Sequence, residues 1–377
     1  MCWLTAEEAL SQLGTKPQTL YANVSRGRIH AKPDPADPRR SLYQAADVRR
    51  LAERRAGRRK VETVAAETMQ WGDPVLPSSI STVLDGRLFY RGREVAALAE
   101  HATLEDIATL LWNSTKPLFI DAGEGRAPSV QAAFLVLAER VTGDLPTLGR
   151  SQSALRPEAR DVLSAVAAAL APGVADRPLH IRLAHAWNRP DVADCIRCAL
   201  VLLADHELNA STFAARVTAS AGATLSAAVL SGLATLTGPL HGGAWQGVNA
   251  LIGNAAALGA AQAVRRTLAL GDRLAAFGHQ LYPEGDVRAK ALLAQFTAPP
   301  IFREVQEAGE QMIGEKVNVD FALAAMAAAF DLPEDAPLVI FALARSVGWL
   351  AHAMEQVESG HLIRPRARYA GPAIGTQ

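Results

Sequence analysis

The chain has 377 residues, is 49% hydrophobic and 20% charged, and has a mean hydropathy of +0.07, which excludes a disordered protein. Its length suits two or three domains, and its three cysteines exclude a disulfide scaffold and suit a reducing cytoplasm. Lys+Arg and Asp+Glu both total 38, so net charge points to no partner, yet residues 1–60 hold 13 Lys/Arg against 6 Asp/Glu. No charged segment followed by an apolar stretch opens the sequence, so no secretory signal is expected. The run from Val217 to Val264 lacks Asp, Glu, Lys and Arg, but it is rich in small residues and interrupted by Gly238-Pro239. Closely packed buried helices, not a membrane span, are expected there.

Residues 1–60 read as a separate unit. Thr5 and Glu8 form a capping-box signature ahead of the apolar stripe Ala6, Ala9, Leu10 and Leu13. Gly14 stops that helix; Thr15 and Pro17 start a second one, with Leu20, Tyr21 and Val24 expected to face inward. A hairpin follows, from residues 28–31 over a Pro/Asp-rich tip to 39–43, and then a basic helix over 45–59. This order resembles the winged helix-turn-helix domains of the MerR and excisionase type. The resemblance implies duplex DNA as a partner, contacted by Lys16, Gln18, Thr19, Arg26, Arg28, Lys32, Arg39 and Arg40. The same layout also serves as a packing module, so both roles stay open.

Residues 61–77 read as a linker, and beyond it the chain is mainly α. Helical periodicity is found over 104–112, 129–142, 157–170, 192–203, 211–221, 225–236, 244–270, 287–295, 301–315, 320–330 and 336–356. Strand signal is confined to 79–90. Walker-A, dinucleotide-binding, nucleophile-elbow and His-Glu-x-x-His motifs are absent. Cys195-Ile196-Arg197-Cys198 lies within a helical stretch with no second pair, so it reads as a core pair and no metal site is expected.

Three histidines, three arginines and an aspartate stand in unusual settings. They occur in Asp205-His206-Glu207-Leu208-Asn209-Ala210-Ser211-Thr212, in Gly238-Pro239-Leu240-His241-Gly242-Gly243-Ala244, and in Gly278-His279 with Arg288 nine residues on. Val317-Asn318-Val319-Asp320, Arg345-Ser346-Val347-Gly348-Trp349-Leu350-Ala351-His352 and Ile363-Arg364-Pro365 complete the set. Gly-Pro before His241 and paired glycines after it suit a helix N-terminus open to a ligand. Taken singly, each residue has a structural reading: a satisfied core histidine, an ion-paired arginine, or Asp320 capping its helix.

Joined in this order, with Leu84-Asp85-Gly86-Arg87-Leu88-Phe89-Tyr90-Arg91-Gly92 ahead of them, they resemble the citrate synthase family over about 300 residues. The resemblance implies a nearly all-helical, cytoplasmic homodimer. Its large domain would comprise 78–241 and 322–377, and its small domain 242–321. It implies condensation of acetyl-CoA with oxaloacetate to citrate and CoA, with no permanently bound cofactor. By the same resemblance Asp320 is the base, His241 donates a hydrogen bond to the enol oxygen, and His279 polarises the oxaloacetate carbonyl. Arg288, Arg345 and His206 hold oxaloacetate, and Arg364 reaches in from the second subunit. The chemistry suits these residue types: a thioester methyl is a weak carbon acid, and guanidinium forks match carboxylates. Proximity to a helix N-terminus would keep His241 neutral.

Three departures bear on the substrates. The family's common Gly-His-Arg-Val-Tyr-Lys is Gly278-His279-Gln280-Leu281-Tyr282-Pro283, which removes two cations; Asp-Pro-Arg is Asp286-Val287-Arg288; and Trp245 replaces the usual Asn. A 2-methylcitrate synthase using propionyl-CoA, and a DNA-binding regulator with a synthase-like sensor domain, are the alternatives.

Overall fold

The computed structural model describes residues 3–13, 17–25, 29–34, 37, 41–48, 76–118, 120, 127–174, 176–367, 369 and 371. The chain divides into two units, Met1–Pro77 and Ser78–Gln377.

In the first unit, β1 (Trp3–Leu4) leads into α1 (Ala6–Leu13) and α2 (Pro17–Ser25). The capping box forms: Thr5 N donates to Glu8 Oε2 at 2.8 Å and Glu8 N donates to Thr5 Oγ1 at 3.3 Å. β2 (Ala31–Pro33) and β3 (Ser41–Gln44) pair antiparallel, with Ala31 opposite Tyr43, and β1 joins the other edge of β3 to give the order β1-β3-β2. Ala9, Leu13, Leu20, Ile29, Tyr43 and Val48 form the core. Tyr21, expected to face inward, is 57% exposed, because Leu20 already fills the inward position of that turn. A helix starts at residue 45; the rest of the expected basic helix and most of the linker lie outside the described residues. So do Lys16, Arg26, Arg28, Arg39, Arg40 and the side chain of Gln18. Thr19 and Lys32 are exposed, with Lys32 Nζ 4.5 Å from the centre of the Trp3 ring.

The second unit opens with a small sheet, β4 (Ser81–Leu84), β5 (Arg87–Tyr90) and β6 (Arg93–Glu94), paired antiparallel in that order. Asp85 and Gly86 both have positive φ, 50° and 69°, as the two-residue turn between twisted strands requires. Helices follow: α3 (Val95–Leu98), α4 (Leu104–Leu111), α5 (Val130–Gly143), α6 (Gln152–Leu170), α7 (Leu179–Ala186), a 3₁₀ turn (Pro190–Val192) and α8 (Ala193–Leu203). Then come α9 (Ala210–Ser220), α10 (Leu225–Leu236), α11 (Trp245–Leu258), α12 (Ala260–Ala269), α13 (Val287–Leu293), α14 (Pro300–Ile313), α15 (Val319–Ala329) and α16 (Ala336–Ser359).

Three differences from the sequence expectation have a local cause. The single helix over 244–270 is two, broken at Gly259 with φ 84°, a conformation that side chains other than Gly rarely adopt. α6 starts five residues before Pro157, because Ser151 Oγ accepts Ala154 N–H and Pro157 disturbs only the opening turns. α7 was not expected, since its inward positions include Arg182, whose guanidinium donates to Ala171 O and Ile120 O.

The uncharged run from 217 to 264 folds into the end of α9, α10, α11 and the start of α12, which pack on neighbours. α16 is long and apolar enough to cross a bilayer, but 94% of its apolar stretch is buried within the protein. It is the axis of the main core, with α4, α6, α8, α9 and α10 packed around it. Cys195 and Cys198 lie in this core, where burial pushes their thiols up to about 12 and about 11.

A second core gathers α11, α12 and α14 around Val248, Val264, Phe302 and Phe321. α15 belongs to both: Val319, Ala322, Leu323 and Met326 pack in the main core, and Phe321, Ala324 and Ala325 in the second. A helix apolar on every side has no solvent face, so a polar residue on it must have a specific setting. Asp320 is that residue.

Candidate active site

The site is assembled from four places on the chain. The first is the connection between α8 and α9. Asn209 caps α9, its Oδ1 accepting Thr212 N–H at 3.2 Å, while Glu207 takes a positive φ of 52° and accepts Val83 N–H at 2.5 Å. Tyr90 Oη accepts Asp205 N–H at 3.0 Å. This tightly held connection buries His206, whose Nε2 lies 2.8 Å from Tyr282 Oη.

The second is the turn between α10 and α11. His241 does not lie at a helix N-terminus: α11 begins at Trp245, and residues 239–244 form consecutive tight turns. The paired glycines serve the chain itself, since a Cβ on Gly242 would lie 2.6 Å from Leu236 Cδ1 and one on Gly243 3.0 Å from Gly238 O. His241 Nε2 is 2.8 Å from Ser211 Oγ. Ser211 donates to Asn209 Oδ1 at 2.8 Å and accepts from Trp349 Nε1 at 3.1 Å. With its one proton committed to Asn209, Ser211 accepts from His241, which places the ring proton on Nε2. Burial, then Arg345 and Arg288, pull His241 down to about 3, so these and not a helix dipole keep it neutral.

The third is the loop before α13. His279, Tyr282 and His206 form a ring cluster, with centroids 5.1 Å apart for His206–His279 and 4.9 Å for His279–Tyr282. His279 Nδ1 accepts Leu281 N–H at 3.2 Å, which leaves the neutral ring's proton on Nε2. Burial and Arg288 pull His279 down to about 4, and burial with Arg288 and His279 holds His206 well below its usual value. Arg288 lies 5.3 Å from the Tyr282 ring centre and pairs with Asp286 through NH2 at 2.8 Å.

The fourth is the start of α15 with the middle of α16. Asn318, not Asp320, caps α15, its Oδ1 accepting Asp320 N–H at 3.1 Å. The Asp320 carboxyl is therefore not used as a cap. Burial pushes it up to about 6, against Arg288 and Arg345 and with the help of Asp286. Arg345, 1% exposed, donates from Nε to Leu203 O at 2.8 Å, but NH1 and NH2 are buried with no hydrogen-bond partner among the described residues. Phe341 links it to His241, at 4.8 Å from the guanidinium and 5.8 Å from the imidazole.

The structure thus brings together His206, His241, His279, Arg288, Asp320 and Arg345. It leaves Arg364 exposed on the segment after α16. Gln280 and Pro283 are exposed on the His279 loop, and Trp245 is buried with its Nε1 unpartnered among the described residues. An ionisable carboxylate with a pKa near neutrality, neutral imidazoles and unsatisfied guanidinium donors form a set able to abstract a proton beside a bound anion.

A profile of the citrate synthase C-terminal domain matches residues 150–366. Citrate synthase 2 of Bacillus subtilis is 31% identical over 347 residues, covering 78% of this chain and 93% of that protein. The chain belongs to the citrate synthase family. It is thus an acyl-transferring enzyme of the condensing type. Another relative, 2-methylcitrate synthase 1 of Corynebacterium glutamicum, is 34% identical over 192 residues, and this match covers 48% of this chain and 50% of that one. Among solved structures, citrate synthase from Thermotoga maritima superposes with a TM-score of 0.65 at 26% identity, over 80% of this chain and 94% of that one. The ternary complex of Thermoplasma acidophilum citrate synthase with carboxymethyl coenzyme A and oxaloacetate has a similar fold, with a TM-score of 0.66 at 23% identity over 82% and 96%.

Sequence reasoning did not single out Tyr282, Ser211 or Phe341 of this candidate site, because a ring or hydroxyl in the core carries no periodic signal. It also missed a buried relay behind Asp205. There Arg216 NH1 donates to His352 Nδ1 at 3.2 Å and to Glu355 Oε2 at 2.8 Å, and His352 Nε2 donates to Asp205 Oδ2 at 3.1 Å. Burial alone would raise Asp205, but His352 and Arg345 outweigh it and keep the carboxyl below its usual value. The i, i+3 and i, i+4 spacing of His352, Glu355 and Gln356 on one helix was the available clue.

Proposed function

We propose that the chain condenses acetyl-CoA with oxaloacetate to citrate and CoA. The observation that carries this reading is Arg345, whose two buried, unpartnered guanidinium nitrogens suit a carboxylate and lie in the same cluster as a raised-pKa aspartate. Arg288 and Arg345 grip the dianion, His206 adds a contact, and Arg364 completes the site from the second subunit of a homodimer. The region 242–321 closes over the substrates as a small domain against 78–241 and 322–377.

Asp320 removes a proton from the acyl methyl while His241 donates to the forming enolate oxygen. With Nε2 facing Ser211, that donation comes from Nδ1: as substrate binds, Nε2 gives up its proton to water, Nδ1 takes one up from water, and the Ser211 hydroxyl turns from Asn209 to donate to the freed Nε2. The enolate carbon attacks the ketone carbon of oxaloacetate, which His279 polarises and whose new alkoxide His279 protonates. Water then cleaves the thioester, releasing citrate and CoA. The test is CoA release from acetyl-CoA plus oxaloacetate, with rapid, oxaloacetate-dependent turnover expected; binding of both without release would refute the reading and favour a sensor.

A propionyl-CoA reading is favoured by the Corynebacterium relative and by Trp245 standing where the family has Asn. The same assay decides it, through the ratio of kcat/KM for propionyl-CoA to that for acetyl-CoA.

For residues 1–60 we propose a winged helix-turn-helix that binds duplex DNA as a dimer. The support is the basic excess, the exposure of Thr19 on α2 and the exposed strand residue Lys32. Binding of DNA from around its own gene should weaken steeply with salt and vanish when residues 1–60 are removed. No retention at low salt, with a truncation that instead breaks the dimer, would favour a packing role.

A further inference from the structure

The proposed mechanism uses Arg288 and Asp320 but gives no role to the group that touches the elements carrying both. Asp286 precedes α13 and is 4% exposed, and its carboxylate takes four N–H donors. Oδ1 accepts from Arg288 N and from Arg288 Nε, each at 3.0 Å. Oδ2 accepts from Arg288 NH2 at 2.8 Å and from Val319 N at 3.0 Å. Val319 is the first residue of α15 and the neighbour of Asp320. Capping α13 would need only one of these four bonds. The other three fix two of the three guanidinium nitrogens and the backbone beside the base.

We propose that Asp286 is the positioning residue of the condensation: it turns Arg288 so that NH1 is the nitrogen offered to a substrate carboxylate, and it pins the start of α15 on which Asp320 sits. This inference rests on the roles proposed above for Arg288 and Asp320. The charge of Asp286 has a second effect. Asp320 faces Arg288 from α13, whose Lys290 is exposed, Asp286 from the residue before that helix, and Arg345 from α16. α11, also packed on α15, has no ionisable side chain. α14 touches α15 through Phe302 on Phe321, with Arg303, Glu304 and Glu307 exposed and Glu310 paired with Lys316. His279 lies on the loop whose Gly278 O accepts from Asn318 Nδ2. Asp286 is therefore the anion that offsets the two guanidiniums and keeps Asp320 basic.

The test uses the full-length protein, with oxaloacetate binding by calorimetry and kcat and KM across pH. A wild type that neither binds oxaloacetate nor turns over would overturn the functional reading and this inference with it. With an active wild type, Asp286→Asn should raise both Kd and KM for oxaloacetate by about tenfold or more, the scale of a misaligned charged hydrogen bond. It should also move the acid limb of kcat to lower pH, because the base loses a neighbouring negative charge. Asp286→Glu keeps the charge but displaces the carboxylate, so it should raise KM while leaving the acid limb in place. An Asp286→Asn variant with wild-type KM and acid limb, changed only in melting temperature, would reduce Asp286 to a structural cap. If that variant does not fold, Asp286→Glu decides: a raised KM with an unmoved limb supports the assignment, and a wild-type KM overturns it.

Discussion

Asp320→Asn should cost activity and add stability, and the two effects have different pH signatures. The Asp320 pKa of about 6, against 3.8 in the unfolded chain, means the folded protein holds this proton more tightly. Sign follows from linkage: between those values the native state binds more protons than the unfolded state, so stability falls as pH rises from about 4 to about 6 and stays lower above. At about 1.4 kcal/mol per pH unit, the ionised carboxylate costs on the order of 3 kcal/mol at neutral pH. Asn resembles the protonated acid in size and charge and does not carry that cost. The variant should therefore melt at a higher temperature than wild type at pH 7.5, and at nearly the same temperature at pH 4. Turnover should fall by at least ~10²-fold, the scale of general-base loss. Calorimetric melting of both proteins across that pH range, beside CoA-release rates, measures both effects. A melting difference that does not change with pH would refute the assignment of the raised pKa to Asp320, and near-wild-type turnover would refute its role as base.

The Arg364→Ala and His241→Ala variants should each be inactive alone and regain partial activity when mixed and reassembled; verified heterodimers without activity would sink the shared site. Ser211→Ala removes the group at 2.8 Å from His241 Nε2 and should lower kcat by about tenfold, the value of one hydrogen bond, with KM for oxaloacetate nearly unchanged. A tenfold change in KM instead would place Ser211 in substrate binding.

Periodic elements were legible in the sequence because their faces are chemically unlike. The strand signal over 79–90 became β4 and β5, since Asp85-Gly86 is a turn dipeptide between alternating residues. The break at Gly259 was not legible: within a run of Ala, Gly and Leu one more Gly carries no contrast, and only its φ distinguishes it. The ionisable residues of the site were legible because histidines beside glycines and an aspartate in an apolar helix conflict with local pattern. Asp286 was not, because three residues before a helical lysine-alanine stretch it reads as an ordinary cap, and its bond to Val319 spans 33 residues. Local sequence marks where charge is buried; it does not mark which distant backbone the charge holds.

With the roles proposed for Asp320, Arg288 and Arg345, the arrangement of charge also implies that the base strengthens when the dianion docks. Arg288 and Arg345 both lower the Asp320 pKa, while burial and Asp286 hold it at about 6. Two substrate carboxylates on those guanidiniums cancel the lowering and add negative charge nearby, so the pKa rises in the complex. His279, pulled down to about 4 by burial and by Arg288, rises for the same reason and becomes a better proton donor to the alkoxide. Because kcat/KM reports the free enzyme and kcat the complex, the acid limb in kcat/KM for oxaloacetate should lie near 6, and the limb in kcat at higher pH. Both come from one set of initial rates taken from pH 5 to 9, at saturating acyl-CoA. A kcat limb at or below the kcat/KM limb would show that the guanidiniums stay uncompensated in the complex, and that the carboxylates bind elsewhere.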